Sequence, residues 1–171
     1  HQREYPRERK PKIIYALFQF FGSRSIKKDP FDELRNYDHV FAIDTNYRDR
    51  AVTTAFVGIW SRSKSRLNVK KLFTRSFVPM SSKPEREAWK SFIEEVNNSD
   101  SGRKCTLIVD SDLGELSKIN RRMTPISQGF FLPENWQLNY ATSDVNDDFA
   151  IVQMMRQCEV ANRKYGARKR G

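Results

Sequence analysis

Cys105-Thr106-Leu107-Ile108-Val109-Asp110 is a short apolar run that stops on a carboxylate. His39-Val40-Phe41-Ala42-Ile43-Asp44 does the same earlier in the chain. Both runs are rich in β-branched and aliphatic residues and hold no Gly or Pro, the pattern of strands buried on both faces. In open α/β sheets, ligands gather outside the carboxyl ends of such strands. If the two strands are parallel neighbours, Asp44 and Asp110 meet at one edge of the sheet.

Working outward, the spacing predicts a strand over Val40 to Asp44, a polar turn from Thr45 to Arg50, and a second strand from Ala51 to Trp60. A third strand is expected from about Leu67 to Val78. Its alternation loses phase near Lys70-Lys71, which predicts a bulge. The clearest helix is Pro84 to Asn97, where Ala88, Trp89, Phe92, Ile93 and Val96 form one apolar stripe. Pro84 suits the first turn, and Glu85 and Glu87 suit the positive end of the helix dipole. After the strand ending at Asp110 come a short helix near Leu113 to Asn120 and an irregular link with a Phe130-Phe131-Leu132 strand piece. A strand from Gln137 to Thr142 and a closing helix from near Asp144 to about Tyr165 finish the chain. The closing helix carries Ile151, Met154, Met155, Cys158 and Ala161 as its stripe. Short links favour antiparallel pairing of the first three strands, and helical crossovers favour parallel pairing of the rest.

Toward the N-terminus, Asp29-Pro30 reads as the cap and first residue of a short helix from Phe31 to Arg35. The apolar run Ile13 to Phe21 reads as a helix, a strand or a partner-docking and self-association surface. Residues 1 to 12, with Pro6 and Pro11, read as a loosely attached arm. The expected organisation is a basic arm and aromatic-rich segment over 1–37, one α/β domain over 38–165, and a basic tail over 166–171.

The formal net charge is +10, with 30% charged and 38% hydrophobic residues. Residues 1–12 hold five Lys/Arg and two Glu, and residues 163–170 hold five Lys/Arg and no acid. The ends therefore carry +8 and the rest +2. Basic ends on a balanced body point to a polyanion such as nucleic acid, DNA or RNA. The candidate contacts are Arg62, Lys64 and Arg66 at a hairpin tip, Lys70 and Lys71, and Arg163, Lys164, Arg168, Lys169 and Arg170 at the C-terminal end. Cys105 and Cys158 read as buried thiols of a reducing, intracellular compartment such as cytoplasm or nucleus. No apolar stretch is long enough to span a bilayer, and no secretory leader is expected. His1 and His39 are the only histidines. There is no C-x-x-C pair, no P-loop and no G-x-G-x-x-G. Zinc, nucleotide-cofactor and Ser-His-Asp chemistry therefore lack their signatures.

The element order and the placement of acids resemble the ribonuclease H-like nuclease superfamily over roughly residues 38 to 165. The resemblance implies a mixed five-stranded sheet, three antiparallel strands then two parallel, flanked by helices. It also implies a divalent-metal nuclease or strand-transfer domain, with Mg²⁺ or Mn²⁺ held by carboxylates. By that resemblance Asp44 and Asp110 are metal ligands. A Glu on the helix after the third strand, from Glu85, Glu87, Glu94 and Glu95, is a further site acid, with Glu87 positioning the attacking water. An acid at the start of the closing helix, among Asp144, Asp147 and Asp148, completes the set. Asp147, four residues before Ile151, is preferred as lying on the inward stripe. Each acid also has a plainer reading as an N-cap, dipole partner or turn former. Without catalysis, the same body reads as a nucleic-acid-binding or assembly module.

Overall fold

The computed structural model describes residues 2–6, 34–110, 113–141 and 150–170. Six strands form one sheet: β1 (Gln2–Pro6), β2 (His39–Tyr47), β3 (Ala51–Trp60), β4 (Arg66–Phe77), β5 (Cys105–Val109) and β6 (Trp136–Tyr140). Three helices accompany them: α1 (Pro84–Ser99), α2 (Leu113–Asn120) and α3 (Ala150–Arg170). The strand order is β1-β4-β3-β2-β5-β6. β2, β3 and β4 pair antiparallel, and β2, β5 and β6 pair parallel. This is the α/β sheet expected from the hairpin links and crossovers, and it is consistent with a ribonuclease H-like fold.

The differences have local causes. Gln2–Pro6 is not a loose arm: it pairs antiparallel with β4, with Gln2 opposite Lys70 and Pro6 opposite Arg66. Proline is tolerated there because an edge strand leaves one row of N–H groups unpaired. β2 runs three residues past Asp44, so the turn shrinks to Arg48–Arg50. The bulge falls where the alternation slips: Ala55 faces Phe73 and Phe56 faces Lys71, leaving Leu72 as the extra residue. Phe130 makes only an isolated bridge with Ser127. α3 continues to Arg170, so residues 166–170 are helix rather than a tail. The apolar run Ile13 to Phe21, Asp29-Pro30, and Asp144, Asp147 and Asp148 lie outside the described residues.

The sheet separates two cores. On one face Phe41, Ile43, Ala55 and Val57 pack against Trp89, Phe92 and Ile93 of α1 and against Leu116 and Ile119 of α2. Trp136 stacks on Phe41 at 5.7 Å between ring centroids and meets Phe92 edge-on. Trp89 and Trp136 are therefore core residues. On the other face Val40, Ala42, Phe56, Leu67, Val69 and Ile108 meet Met155 and Cys158 of α3. Gly58 lets the Leu67 side chain lie against β3, since a Cβ there would come within 2.9 Å of it. Both cysteines are buried free thiols. Among the described residues no helix is long and apolar enough to cross a membrane.

Candidate active site

Two strand ends build the site. β2 and β5 run parallel, with His39 opposite Cys105 and Ala42 opposite Ile108. Two residues further on, the same register sets Asp44 against Asp110. Asp44 lies on the α3 face, because even-numbered β2 residues, Val40 and Ala42, point that way. Asp110 is exposed just past the end of β5. The parallel pairing puts the carboxyl ends of β2 and β5 at one edge of the sheet, as the strand pattern leads one to expect.

α1 delivers the third acid, and it is Glu85. Glu85 lies one helical turn before Trp89, on the stripe that packs against the sheet. Burial first, then the charges of Asp110 and Asp44, push its pKa up from 4.5 to about 7, against a smaller opposing pull from Arg86. Glu87 sits elsewhere. Its Oε1 accepts the Met80 amide at 2.9 Å, and its Oε2 accepts the Ser81 amide at 2.9 Å and the Ser81 hydroxyl at 2.6 Å. Burial is the largest single influence and raises its pKa, but the three donors together outweigh it and hold the pKa below the usual value. Glu87 closes the loop before α1, while Glu85 faces the aspartates. Glu95 likewise has another partner, a bidentate pair with Arg75 at 2.7 and 3.0 Å.

α3 closes the site with residues the sequence reading did not select. The helix travels along β2 in the strand's own direction. The Cys158 thiol donates to the Ala42 carbonyl at 3.3 Å, and Asn162, 1% exposed, reaches Asp44. Asn162 Nδ2 donates to Asp44 Oδ2 at 3.0 Å and to the carbonyls of Asp44 at 3.3 Å and Val52 at 2.9 Å. Its Oδ1 accepts from the Thr54 hydroxyl at 3.4 Å, and that hydroxyl bonds Thr74 at 2.8 Å. Burial raises the pKa of Asp44 most. The Asn162 hydrogen bond lowers it, the Glu159 charge raises it, and the Arg163 charge lowers it; the net effect is upward. Glu159 is thus the α3 acid that faces Asp44. Its Oε1 is buried and accepts no hydrogen bond among the described residues. The signal for Asn162 was in the chain: it follows Met155 and Cys158 at helical spacing, a polar side chain on a buried stripe.

The expected basic residues divide between the two ends of the sheet. Arg163 and Lys164 are exposed, with the Arg163 charge acting on Asp44, and Arg168, Lys169 and Arg170 lie on the last turns of α3. Lys70 and Lys71 are exposed in mid-strand, opposite Val57 and Phe56. Arg62, Lys64 and Arg66 sit at the other end: Trp60 is six residues along β3 from Thr54, the partner of Asp44, or about 20 Å of strand.

The site offers only oxygen donors, the preference of hard divalent cations. Two carboxylates ~4 Å apart repel by ~4 kcal/mol at an effective dielectric near 20, so their company favours a cation or a proton. The Glu159 Oε1, buried without a hydrogen-bond partner among the described residues, is an oxygen such a cation could take up. Among the described residues, no three His, Cys, Asp or Glu side chains already converge as a closed metal-holding group. The chemistry of the donors fits a metal; the side chains still have to draw together around it.

No family model matches the chain. No curated protein matches it. Among solved structures it is similar to Ciona intestinalis endonuclease V in complex with a 24mer DNA containing an inosine followed by a ribo-adenosine, at 14% identity and a TM-score of 0.29. The match covers 55% of this chain and 46% of that one, so the chain spans less than half of that structure's length.

Proposed function

We propose that the chain is a divalent-metal-dependent nuclease or strand-transfer domain, acting on nucleic-acid phosphodiesters at the carboxyl ends of β2 and β5. The observation that supports it most is the shared register of Asp44 and Asp110, with Glu85 close enough to feel both charges. Asp44, Asp110, Glu85 and Glu159 are the residues that would hold Mg²⁺ or Mn²⁺. Asp147 is the further acid proposed from the sequence. A bound ion supplies offsetting charge for a phosphoryl group under attack. Asn162 fixes the Asp44 carboxylate against the β2–β3 backbone, so the acid does not reorganise when substrate arrives. Where Glu85 is not itself bound to the ion, its carboxylate would accept a proton from the attacking water. Arg163 and Lys164 supply cations for the flanking phosphates.

The test is cleavage of labelled 30-nucleotide DNA and RNA, single- and double-stranded, in Mg²⁺ or Mn²⁺. Asp110→Asn is expected to lower the rate at least about a hundredfold while the melting temperature is kept. An undiminished rate in that variant removes the site.

One observation favours a second reading. Asp44 Oδ2 already holds an amide donor, Asn162 Nδ2, at 3.0 Å, as a purely structural aspartate would. A non-catalytic nucleic-acid-binding module on the same fold predicts steep salt dependence of binding with no Mn²⁺ uptake by calorimetry.

A further inference from the structure

The end of the sheet remote from the acids carries its own constellation. The β3–β4 tip presents Arg62, Lys64 and Arg66, all exposed. Two strands away, the approach to β5 presents Arg103 and Lys104, also exposed. A short segment joins the two groups. Arg35 Nε donates to the Lys64 carbonyl at 2.7 Å, and Lys64 Nζ donates to the Arg35 carbonyl at 3.2 Å. Two residues on, the Tyr37 ring lies 5.5 Å from Lys104 Nζ. The acids of this end are engaged locally: Asp38 accepts the Lys104 amide at 2.9 Å, and Asp100 takes His39 at 3.3 Å and Arg103 at 3.4 Å. Lys64 holds a positive φ of 57°, a backbone conformation that glycine or asparagine adopts at lower cost. A lysine kept in that conformation, at the tip of a basic turn, suggests that its charge matters there.

We infer that this hairpin end, from Arg62 and Lys64 through Tyr37 to Lys104, is a second nucleic-acid-binding surface, separate from the carboxylate edge. Adjacent strands lie about 4.8 Å apart, so the patch spans more than about 10 Å across the sheet. It stands about 20 Å of strand from Asp44, roughly six base pairs of duplex at 3.4 Å per step. The surface grips backbone phosphates of a segment that is not being cut and makes affinity depend on substrate length. This rests on the nucleic-acid substrate proposed above, but not on cleavage.

Fluorescence anisotropy in EDTA, where no metal-dependent cleavage occurs, separates the two claims. The probes are fluorescein-labelled 30-base-pair and 6-base-pair DNA duplexes, titrated across a salt series. The unmodified chain is expected to bind the longer duplex at least tenfold more tightly. Arg62→Ala, Lys64→Asn and Lys104→Ala together are expected to erase most of that gain and to flatten the log K against log salt slope by about 2 to 3. Lys64→Asn alone relieves the backbone at the tip, so it is expected to keep the melting temperature and still flatten the slope by about 1. An unchanged slope and length dependence in a folded triple variant overturns the second surface. So does binding to vesicles of anionic lipid with none to either duplex. Length-dependent binding without cleavage in Mg²⁺ or Mn²⁺ would remove the nuclease reading and leave this one standing.

Discussion

The two ends of one sheet carry positive charge, but only one end also gathers acids. Near the carboxyl ends of β2 and β5, Glu85 feels the charges of Asp110 and Asp44, Asp44 feels that of Glu159, and both Glu85 and Asp44 have raised pKa values. At the hairpin end, Asp38 and Asp100 are absorbed by a backbone amide, a histidine and an arginine. Acids with donors beside them maintain a fold. A buried acid beside other acid charges, as Glu85 is, holds free energy in desolvation and repulsion, which a cation, a proton or a substitution releases. The comparison is sharpest when the pH or the residue is changed at one end only.

Glu85 should give the largest stability effect. Its carboxyl titrates near 7 in the folded protein, against 4.5 for an unperturbed glutamate. Between those values the folded chain keeps a proton that the unfolded chain has lost, so the stability contribution is full below about pH 4.5. It falls as pH rises and is lost above about pH 7. The decline is on the order of 2–3 kcal/mol. Urea melts from pH 4.5 to 8.5 should show it, and Glu85→Gln should flatten the curve and be the more stable form at pH 8. Mn²⁺ should stabilise the unmodified chain most at the upper end of that range. Equal pH curves for Glu85→Gln and the unmodified chain would mean that Glu85 is solvated and the acids do not converge.

Asn162→Ala comes next. It leaves the Asp44 carboxylate and the Val52 carbonyl short of a buried donor, a loss of about 1–3 kcal/mol. The comparison predicts more than instability: with its hydrogen bond gone, Asp44 should titrate higher still, and carbon-detected NMR of the aspartate carboxyls would read it. A variant that unfolds more easily with no change in that titration would assign Asn162 to packing alone.

Much of this was legible in the chain. The apolar runs ending at Asp44 and Asp110 gave two strands and their polarity, and helical crossovers implied parallel pairing. The α1 stripe also separates its two first-turn glutamates. Glu85 precedes Ala88 and Trp89 by three and four residues and so lies on the buried face, whereas Glu87, two residues on, is rotated by about 200°. Glu159 and Asn162 were harder, because they act about two and a half to three turns into α3, about 14–18 Å along its axis from Ala150. Only the direction of α3 along β2 brings that part of the helix to Asp44. The β1 pairing was not legible at all: five residues with two charges and a proline have no strand pattern, and an open edge such as that of β4 offers unpaired backbone groups to them.

The smallest effect should come from the hairpin end. Arg62 is exposed at the tip, and surface substitutions away from caps, cavities and buried pairs usually change stability by about 0.5 kcal/mol or less. Arg62→Ala should therefore leave the urea midpoint almost unchanged at moderate salt. At low salt it should raise the midpoint slightly, by relieving repulsion from Lys64 and Arg66 within a Debye length of about 10 Å at 0.1 M and more below it. Above 0.5 M salt the difference should vanish. A loss of more than about 1 kcal/mol that persists in high salt would place Arg62 in a structural pair. The contrast between a strained acid edge and a relaxed basic end would then have to be redrawn, with the hairpin end also depending on a charge partner.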